Sequence, residues 1–422
     1  MLRAPTADRP VPKGSPPVNL HRTIALMPWY QFFNSLLFWQ AVWFLYFQAN
    51  LSGAEAILLY SVYDIATTVL EVPSGYFSDR FGRRVTLLLS AVCSLLGCLA
   101  LTLGGGFAVY AVGQSLIGAG AAFKSGTDSA LLYEALEATG RADEIEAQEL
   151  RAWRFSLTGF ALSALVGGAM SLWSPTLPFY ATAVAFALAA LLVSRMAEPP
   201  QTRDEADSLH AQLATLKAAM VHPVLAWLFV LTVLMYGFSH LPFVFGQPFI
   251  LSALDQWGLA GEAPLVSGAV TSAMMLVSVL ASLAAPGLRR VLGLPLLLLC
   301  AFGLQIALVG ALAVSTSALV IGVLLLRIVP DSLAYPFIIA RIQPLLESRT
   351  RATYLSLKSL AGKLVFAVTL MFAASTAQDV GLLPADDLQR ILGVYAVGGI
   401  LCLALLAVLA RRIQITPPPK TA

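Results

Sequence analysis

The sequence has few charged residues and few cysteines. Of its 422 residues, 12% are charged and four are Cys. A soluble domain carries about 25% charged residues, and half that supply does not cover a water-exposed surface. The composition therefore excludes an ordinary soluble protein. All four cysteines fall within apolar runs and lack metal-ligand spacing, so we predict small packing residues rather than a disulfide framework.

Motifs for catalysis and for nucleotide binding are also missing. The chain contains no H-E-x-x-H, no G-x-S-x-G and no G-x-x-x-x-G-K-[ST] segment, which argues against an intramembrane enzyme and against direct drive by ATP. We therefore predict no enzymatic activity, no cofactor, no bound metal and no nucleic-acid partner. The sequence does not exclude a structural or receptor role, but that role would leave the charges within the apolar runs unexplained.

Apolar sequence is what the chain has in excess, since 58% of its residues are hydrophobic. A membrane-spanning helix takes about 20 mostly apolar residues, and the apolar runs between charge clusters predict twelve such helices. Their centres lie near Leu36, Ile65, Val92, Leu116, Leu162, Ala187, Met235, Met274, Ala307, Leu325, Ala367 and Gly399. The polar start of the chain and the length of the first run predict no cleavable signal peptide.

The positive charges predict how the helices are oriented. Most of the 26 Lys and Arg residues lie near the two ends of the chain and in every second loop, whereas the alternate loops carry only Arg390. By the positive-inside rule, both termini are then cytoplasmic and the number of spans is even. We predict a multi-pass protein of a bacterial inner or plasma membrane, surrounded by the lipid bilayer.

The chain divides near its middle. A polar stretch at 197–221 separates a six-helix segment at 23–196 from another at 222–411, with tails at 1–22 and 412–422. Apolar residues recur at helical spacing in that stretch, at Leu209, Leu213, Leu216 and Met220. This spacing favours a short amphipathic helix on the cytoplasmic surface, and a disordered linker is the alternative. Two equal halves joined in this way are typical of transporters built from pseudo-symmetric repeats.

The loop after the second predicted helix carries the most specific motif. Residues 75–84 read G-Y-F-S-D-R-F-G-R-R and match the pattern G-x-x-x-D-R-x-G-R-R at every fixed position. On this motif and its place in the chain, the sequence resembles the major facilitator superfamily, in its drug-exporter-like branch. The resemblance implies twelve helices in two halves, with this loop latching the halves in an outward-facing state. The implied latch residues are Gly75, Asp79, Arg80, Gly82, Arg83, Arg84 and Glu134.

Two details of that latch follow from the resemblance. Arg83 is expected to pair with Glu134 at the end of the fourth helix, and Asp79 is expected to face the start of the eleventh. Other family motifs are weaker here. Gln114 stands where the fourth helix usually carries an arginine, and Ser163-Ala164 replaces Gly-Pro in the exporter motif of the fifth helix.

Carboxylates within the predicted spans are the candidates for proton coupling: Asp64, Glu71, Asp128 and Asp331. A charge at the bilayer centre costs about 2.5–3.5 kcal/mol on insertion scales, so each needs a partner, a cavity or a function. Several alternatives stay open at this point. Lys124 with Asp128, and Arg327 with Asp331, are each four residues apart and can be self-neutralising structural pairs. Glu71 can belong to the latch instead.

The resemblance also implies that helices one, four, seven and ten line a central cavity. Candidate cavity residues on these helices are Tyr30, Asn34, Gln114, Lys124, Tyr236, His240 and Arg327. A cavity with aromatic and polar walls suits an amphipathic or aromatic solute. His240 can equally be a polar residue whose hydrogen bonds are satisfied within the fold.

Together these features predict a monomeric secondary active transporter that works by alternating access. Proton-coupled efflux of a small organic solute is the leading hypothesis. The alternative is a proton- or sodium-coupled importer, or a passive facilitator, of a small metabolite.

Overall fold

The computed structural model describes residues 19–199, 216–256, 263–314, 322, 324–375 and 385–416. In the first part of the chain, helices α1 to α8 are Leu20–Asn34, Trp43–Asn50, Gly53–Phe81, Arg83–Thr102, Phe107–Lys124, Thr127–Ala138, Ile145–Trp173 and Leu177–Ser194. In the second part, helices α9 to α14 are Pro223–Gln256, Ala263–Leu292, Leu294–Val314, Val329–Ile342, Ser348–Ser375 and Ala385–Ala410. Short 3-10 turns lie at Phe38–Ala41, Ala142–Glu144 and Gln343–Leu345.

Within the described residues, seven helical segments are long and apolar enough to cross a membrane. Many of their large apolar side chains are exposed on the outside of the bundle, among them Val92, Leu188, Leu280 and Leu401. Apolar exposure on this scale is typical of a surface that faces lipid. The prediction of an all-helical, multi-pass membrane protein is confirmed, whereas twelve spans and cytoplasmic termini stay predictions.

The first predicted span, centred near Leu36, is not a continuous helix. Helix α1 ends at Asn34, and a 3-10 turn separates it from α2. The backbone N–H of Phe38, which no helix satisfies, donates to Thr182 Oγ1 at 3.0 Å. The carbonyl of Phe38 lies against Gly167, at a place that a Cβ atom would fill. Irregular backbone is tolerated at membrane depth only where protein groups satisfy it. Here Thr182 on α8 satisfies the N–H of Phe38, and Gly167 on α7 leaves room for its carbonyl.

The fourth and tenth predicted spans are also interrupted. Helix α5 ends at Lys124 and α6 begins at Thr127, so Lys124 and Asp128 do not share one helix as their spacing suggested. Gly126 between them adopts a left-handed conformation, with φ at 73°. Arg327 lies in a turn before α12, which contains Asp331. In both pairs, the start of a helix therefore lies between the basic residue and the acidic residue, and the two do not share one helical face.

The described helices form two groups, each packed mainly against its own members, and the two groups contact each other along two lines of helix–helix packing. Helix α3 of the first group packs against α13 of the second, and α7 packs against α10. At the second line, Leu157 and Ala161 contact Met275 in a small apolar cluster. Residues on these helices are therefore positioned to act between the halves.

One end of the bundle carries the arginine-rich turns, and we call it the basic end. It contains the turns between α3 and α4, α6 and α7, α10 and α11, and α12 and α13. Arg289 on α10 pairs with Glu146 on α7 at 3.5 Å, which places two of these turns side by side.

The polar stretch between the halves is described only in part. Residues 216–221 are helical, and Leu216 and Met220 pack against the apolar core of the second half. Leu209 and Leu213 lie outside the described residues. The amphipathic helix and the domain boundaries therefore stay predictions.

Candidate functional site

The turn between α3 and α4 places the arginines of the sequence motif. Its residue Gly82 has φ at 109°, a conformation that an L side chain adopts only with strain. The freed N-terminus of α4 is capped by a distant carboxylate. Glu198 accepts from the backbone N–H of Arg83 at 2.6 Å and from that of Arg84 at 3.2 Å. A carboxylate suits this position because helix N-terminal N–H groups are unpaired donors.

Arg83 is the most deeply buried charged residue of this turn, with 0% of its surface exposed. Its guanidinium pairs with Asp79 and with Glu134, the latter at 2.9 Å. It also donates to the carbonyl of Ser348, at the start of α13, at 2.5 Å. The structure thus brings Arg83 and Glu134 together, as the resemblance implied, and adds a contact with the second half.

Glu134 receives hydrogen bonds from both halves on one carboxylate oxygen. Besides Arg83, the donors to Oε1 are Ser348 Oγ at 2.6 Å and Arg351 Nη1 at 3.1 Å. Arg351 also lies over the ring of Tyr133, with 4.6 Å between its Cζ and the ring centroid. We call Asp79, Arg83, Glu134, Ser348 and Arg351 the latch cluster. It joins α3, α4 and α6 of the first half to α13 of the second.

Asp79 faces the first turns of α13. Its carboxylate accepts from the backbone N–H of Ala352 at 3.2 Å and of Thr353 at 2.8 Å, and from the Thr353 hydroxyl at 2.5 Å. Oriented N–H groups near a helix start stabilise a negative charge. These bonds must break when α3 and α13 separate.

One turn before Asp79, Gly75 allows the two helices to touch. A Cβ atom at Gly75 would lie 2.7 Å from Ser356 Oγ and 3.0 Å from the carbonyl of Ala352. Four of the predicted latch residues lie outside the cluster: Gly75, Arg80, Gly82 and Arg84. Arg80 is exposed and donates to the Tyr76 hydroxyl at 2.8 Å, and Arg84 donates to the carbonyl of Ser194 in the same half.

Further from the basic end, an ion pair crosses between the halves. Glu71 on α3 is fully buried, and its Oε2 lies 2.5 Å from Nζ of Lys363 on α13. Asp64 lies two turns beyond Glu71 on the same face of α3. The side chain of Asp64 is exposed, and in the described structure no hydrogen bond reaches it. Asp64 is therefore exposed at a level of α3 that lies further from the basic end than the buried Glu71.

Asp128 lies beside α1 at the start of α6. It accepts from Gln31 Nε2 at 2.6 Å and lies 3.9 Å from Lys124 Nζ. The pair with Lys124 is long, and the shorter bond joins Asp128 to Gln31. Asp128 thus lies at a junction between α1, α5 and α6.

Asp331 is the corresponding carboxylate of the second half. It accepts from Ser239 Oγ on α9 at 2.7 Å and from Gln305 Nε2 on α11 at 3.1 Å. Three helices of the second half therefore meet at this carboxylate. Neither Ser239 nor Gln305 stands out in the sequence, because a single polar residue in an apolar helix carries no pattern.

Two of the predicted cavity residues are buried within the first half. Tyr30 is 0% exposed, because α1 packs against the core around Leu131, and Gln114 is 5% exposed on α5. Asn34 is half-buried at the end of α1. Tyr30, Gln114 and Asn34 therefore stay predictions as cavity-lining residues.

Tyr236, His240 and Arg327 are half-buried in the second half. His240 Nδ1 lies 2.8 Å from the carbonyl of Tyr236, and the two rings stack with their centroids 4.0 Å apart. The imidazole thus has a partner on its own helix, and its place in a cavity stays a prediction.

A second set of buried groups lies between the halves, and sequence reasoning missed Glu149 in this set. Glu149 on α7 is 6% exposed and Lys358 on α13 is 5% exposed. Lys358 Nζ lies 5.4 Å from the ring centroid of Tyr335 on α12. Trp153 on α7 stacks near the same ring at 5.2 Å and donates from Nε1 to Ser332 Oγ at 3.0 Å. Glu149 was overlooked because it lies among the charged residues that begin α7.

Two arrangements therefore characterise the molecule. The halves are held together at the basic end by the latch cluster, and further in they present charged groups to each other. The sequence profile of the Major Facilitator Superfamily matches residues 24–369. The chain belongs to the major facilitator superfamily. No curated protein sequence matches it significantly, and the drug-exporter-like branch stays a prediction.

Solved structures of major facilitator transporters share its fold. A bacterial homologue of the iron transporter ferroportin, in an outward-facing state, is 18% identical with a TM-score of 0.69, covering 94% of this chain and 100% of that one. A variant of the E. coli fucose:proton symporter FucP is 15% identical with a TM-score of 0.64, covering 94% and 98%. The nucleoside transporter NupG is 16% identical with a TM-score of 0.60, covering 93% and 99%. These likenesses establish the fold, and members of this superfamily carry small solutes across membranes.

Proposed function

We propose that the protein is a monomeric secondary active transporter that exports a small organic solute in exchange for protons by alternating access. The observation that carries the proposal is the buried ion pair between Glu71 and Lys363, 2.5 Å apart and contributed by different halves. Buried charges within membrane helices are costly. This pair joins two halves that move, so it must form and break in each cycle. We propose that this change in pairing is the function for which the buried charges are retained.

The direction of opening follows from the proposed orientation. With both termini cytoplasmic, the basic end faces the cytoplasm, in a bacterial inner or plasma membrane. The latch cluster closes that end, and the exposed Asp64 lies toward the other. The structure then corresponds to an outward-facing state, in which protons enter from outside and the solute leaves. The fold likeness to a fucose:proton symporter is compatible with proton coupling.

Asp128 and Asp64 are the proposed groups for proton exchange with the outside. Asp64 is exposed, and Asp128 is linked to α1 through Gln31 at 2.6 Å. The solute we propose is amphipathic or aromatic, because Tyr236, His240 and Phe366 form an aromatic group within the second half. The alternative remains an importer, or a facilitator that uses no ion gradient.

The test is proton flux in liposomes that contain the purified full chain and a pH-sensitive dye. A pH gradient is imposed, and aromatic amines, aromatic acids and sugars are added in turn. Solute-triggered proton movement is expected in the wild type and is expected to be lost in Asp128→Asn. The control is Asp143→Asn, which changes an exposed carboxylate in the turn before α7. Solute movement without proton movement would instead identify a facilitator or a carrier coupled to another ion.

A further inference from the structure

Glu149 is a buried carboxylate that the mechanism above does not use. It lies one turn into α7 from the basic end and is 6% exposed. Among the described residues, no hydrogen-bond donor reaches its Oε1. Buried polar atoms almost always have partners, so an orphaned carboxylate oxygen at this place calls for an explanation.

Both halves contribute the groups that surround Glu149. From α6, Ser129 lies beside it and Asp128 acts on it electrostatically. From the second half, Tyr335 on α12 and Lys358 on α13 lie within electrostatic range. On its own helix, Trp153 lies one turn away and covers the ring of Tyr335. Glu149 is therefore enclosed by groups that separate if the halves move apart.

The closed arrangement favours the neutral carboxyl. An ionised carboxylate is strongly disfavoured where one oxygen is buried and unpartnered, and the negative charge of Asp128 disfavours it further. The Ser129 hydroxyl and Lys358 favour ionisation, but in the described structure no carboxylate lies within ion-pair distance of the Lys358 Nζ. Its ammonium instead lies over the ring of Tyr335, which stabilises the cation without a carboxylate.

Opening of the basic end reverses this balance. Helices α12 and α13 belong to the second half and α6 and α7 to the first, so their separation admits water to the carboxyl. Water solvates the ionised form and removes the penalty of burial. The O–H bond of Glu149 then breaks, and the proton passes to water on the basic side.

We propose that Glu149 is a second protonation site of the transport cycle, neutral while the basic end is closed and ionised while it is open. Its proton therefore leaves toward the basic end, which is the cytoplasmic side in the proposed orientation. This inference rests on the proposed function for its place in a cycle, but its test needs no solute.

The test measures the distance between spin labels across the basic end as pH changes. Labels are attached at Asp143→Cys and Glu347→Cys, both exposed positions in different halves, in a full chain whose four cysteines are replaced by Ala and which is held in lipid nanodiscs. In the otherwise unaltered chain, raising the pH is expected to increase the population with long distances. Glu149→Gln mimics the neutral form, so short distances are expected at every pH.

Glu144→Gln is the matched control, because Glu144 directly precedes α7, is 38% exposed and pairs at 2.6 Å with Arg141 of its own half. It should keep the transition of the parent chain. Lys358→Met serves as a second variant should Glu149→Gln fold poorly. Because Lys358 lies near Glu149 only while the basic end is closed, loss of its ammonium disfavours the ionised closed form, so the open fraction at high pH should rise. A transition that survives in Glu149→Gln, an absent transition in the parent chain, or an open fraction at high pH that does not rise in Lys358→Met would overturn the inference.

Failure of this inference can be told from failure of the proposed function. If solute-triggered proton flux is present but Glu149→Gln does not change the distances between the spin labels, only the inference about Glu149 is wrong. If the distances depend on Glu149 but no solute moves protons, the proposed coupling is wrong and the protonation site stands.

Discussion

Glu71 and Lys363 are 292 positions apart in the chain, yet their charged groups lie 2.5 Å apart between the two halves. The carboxylate is fully buried and the ammonium is 20% exposed. Each charge therefore depends on the other for compensation, and the pair ties α3 to α13 well inside the bundle.

Removal of either charge alone should destabilise the protein more than removal of both. Glu71→Gln or Lys363→Met leaves an uncompensated buried charge, which typically costs about 3–5 kcal/mol. The double variant should recover most of the lost thermal stability in detergent. The control is Arg141→Gln, whose partner Glu144 is well exposed, and it should change little. Equal losses in the single and double variants would contradict this prediction.

Substitution of Arg83 and substitution of Arg80 should have very different effects on the opening of the basic end, although the two residues lie only three positions apart. Arg83→Ala removes the donor that joins Asp79, Glu134 and the Ser348 carbonyl, so the basic end should open more often. Arg80→Ala removes one bond to Tyr76 and should behave almost like the wild type. Reaction of Thr353→Cys, introduced into each variant and into the otherwise unaltered chain, with a water-soluble thiol reagent measures the opening. Equal labelling in both variants would show that the latch cluster does not hold this end closed.

Gly75→Ala should separate α3 from α13 by steric contact alone. The added methyl group meets Ser356 Oγ at 2.7 Å and the Ala352 carbonyl at 3.0 Å. Overpacking of this kind costs about 1–3 kcal/mol, and Ser356→Gly should restore part of the lost stability. Gly287→Ala is the matched control because a Cβ there meets no atom within 4 Å. A Gly75→Ala protein that melts like this control would contradict the close approach.

Glu198→Gln should weaken the start of α4. The neutral amide keeps an acceptor but loses the charge that suits two backbone donors at 2.6 and 3.2 Å. Loss of a helix cap costs about 1 kcal/mol, so a small fall in melting temperature is expected. The melting temperature of Glu198→Ala should fall further. Hydrogen exchange at Arg83 and Arg84 should quicken in both, and unchanged exchange would show that the cap is not formed.

The sequence predicted the family and the partners within the latch because ten consecutive residues carry a specific pattern. Arg83 with Glu134, and Asp79 with the start of the eleventh helix, follow from that pattern. The contacts of Arg351 and Lys363 could not be predicted, since both depend on which face of α13 meets the first half. The rotation of a helix about its own axis is fixed by tertiary packing, and it cannot be inferred from one sequence.

The interruptions of the helices were missed for a related reason. Around Leu36 the sequence is uniformly apolar, so composition predicts a continuous helix. The break depends on two residues far along the chain. Thr182 Oγ1 accepts from the Phe38 N–H, and Gly167 leaves space for the Phe38 carbonyl. Lys124 and Asp128 likewise looked like neighbours on one helix until Gly126 placed a turn between them.

The partners of Phe38 have a consequence for biosynthesis. The N–H of this residue is satisfied by Thr182, which the ribosome adds more than a hundred residues later. Until then, the first segment cannot hold its final shape within lipid, because an unpaired backbone donor is costly there. The nascent chain must keep this segment in a continuous helix, or in the shelter of the translocon, until the fifth and sixth segments arrive. The first element to be made is therefore among the last to reach its final form.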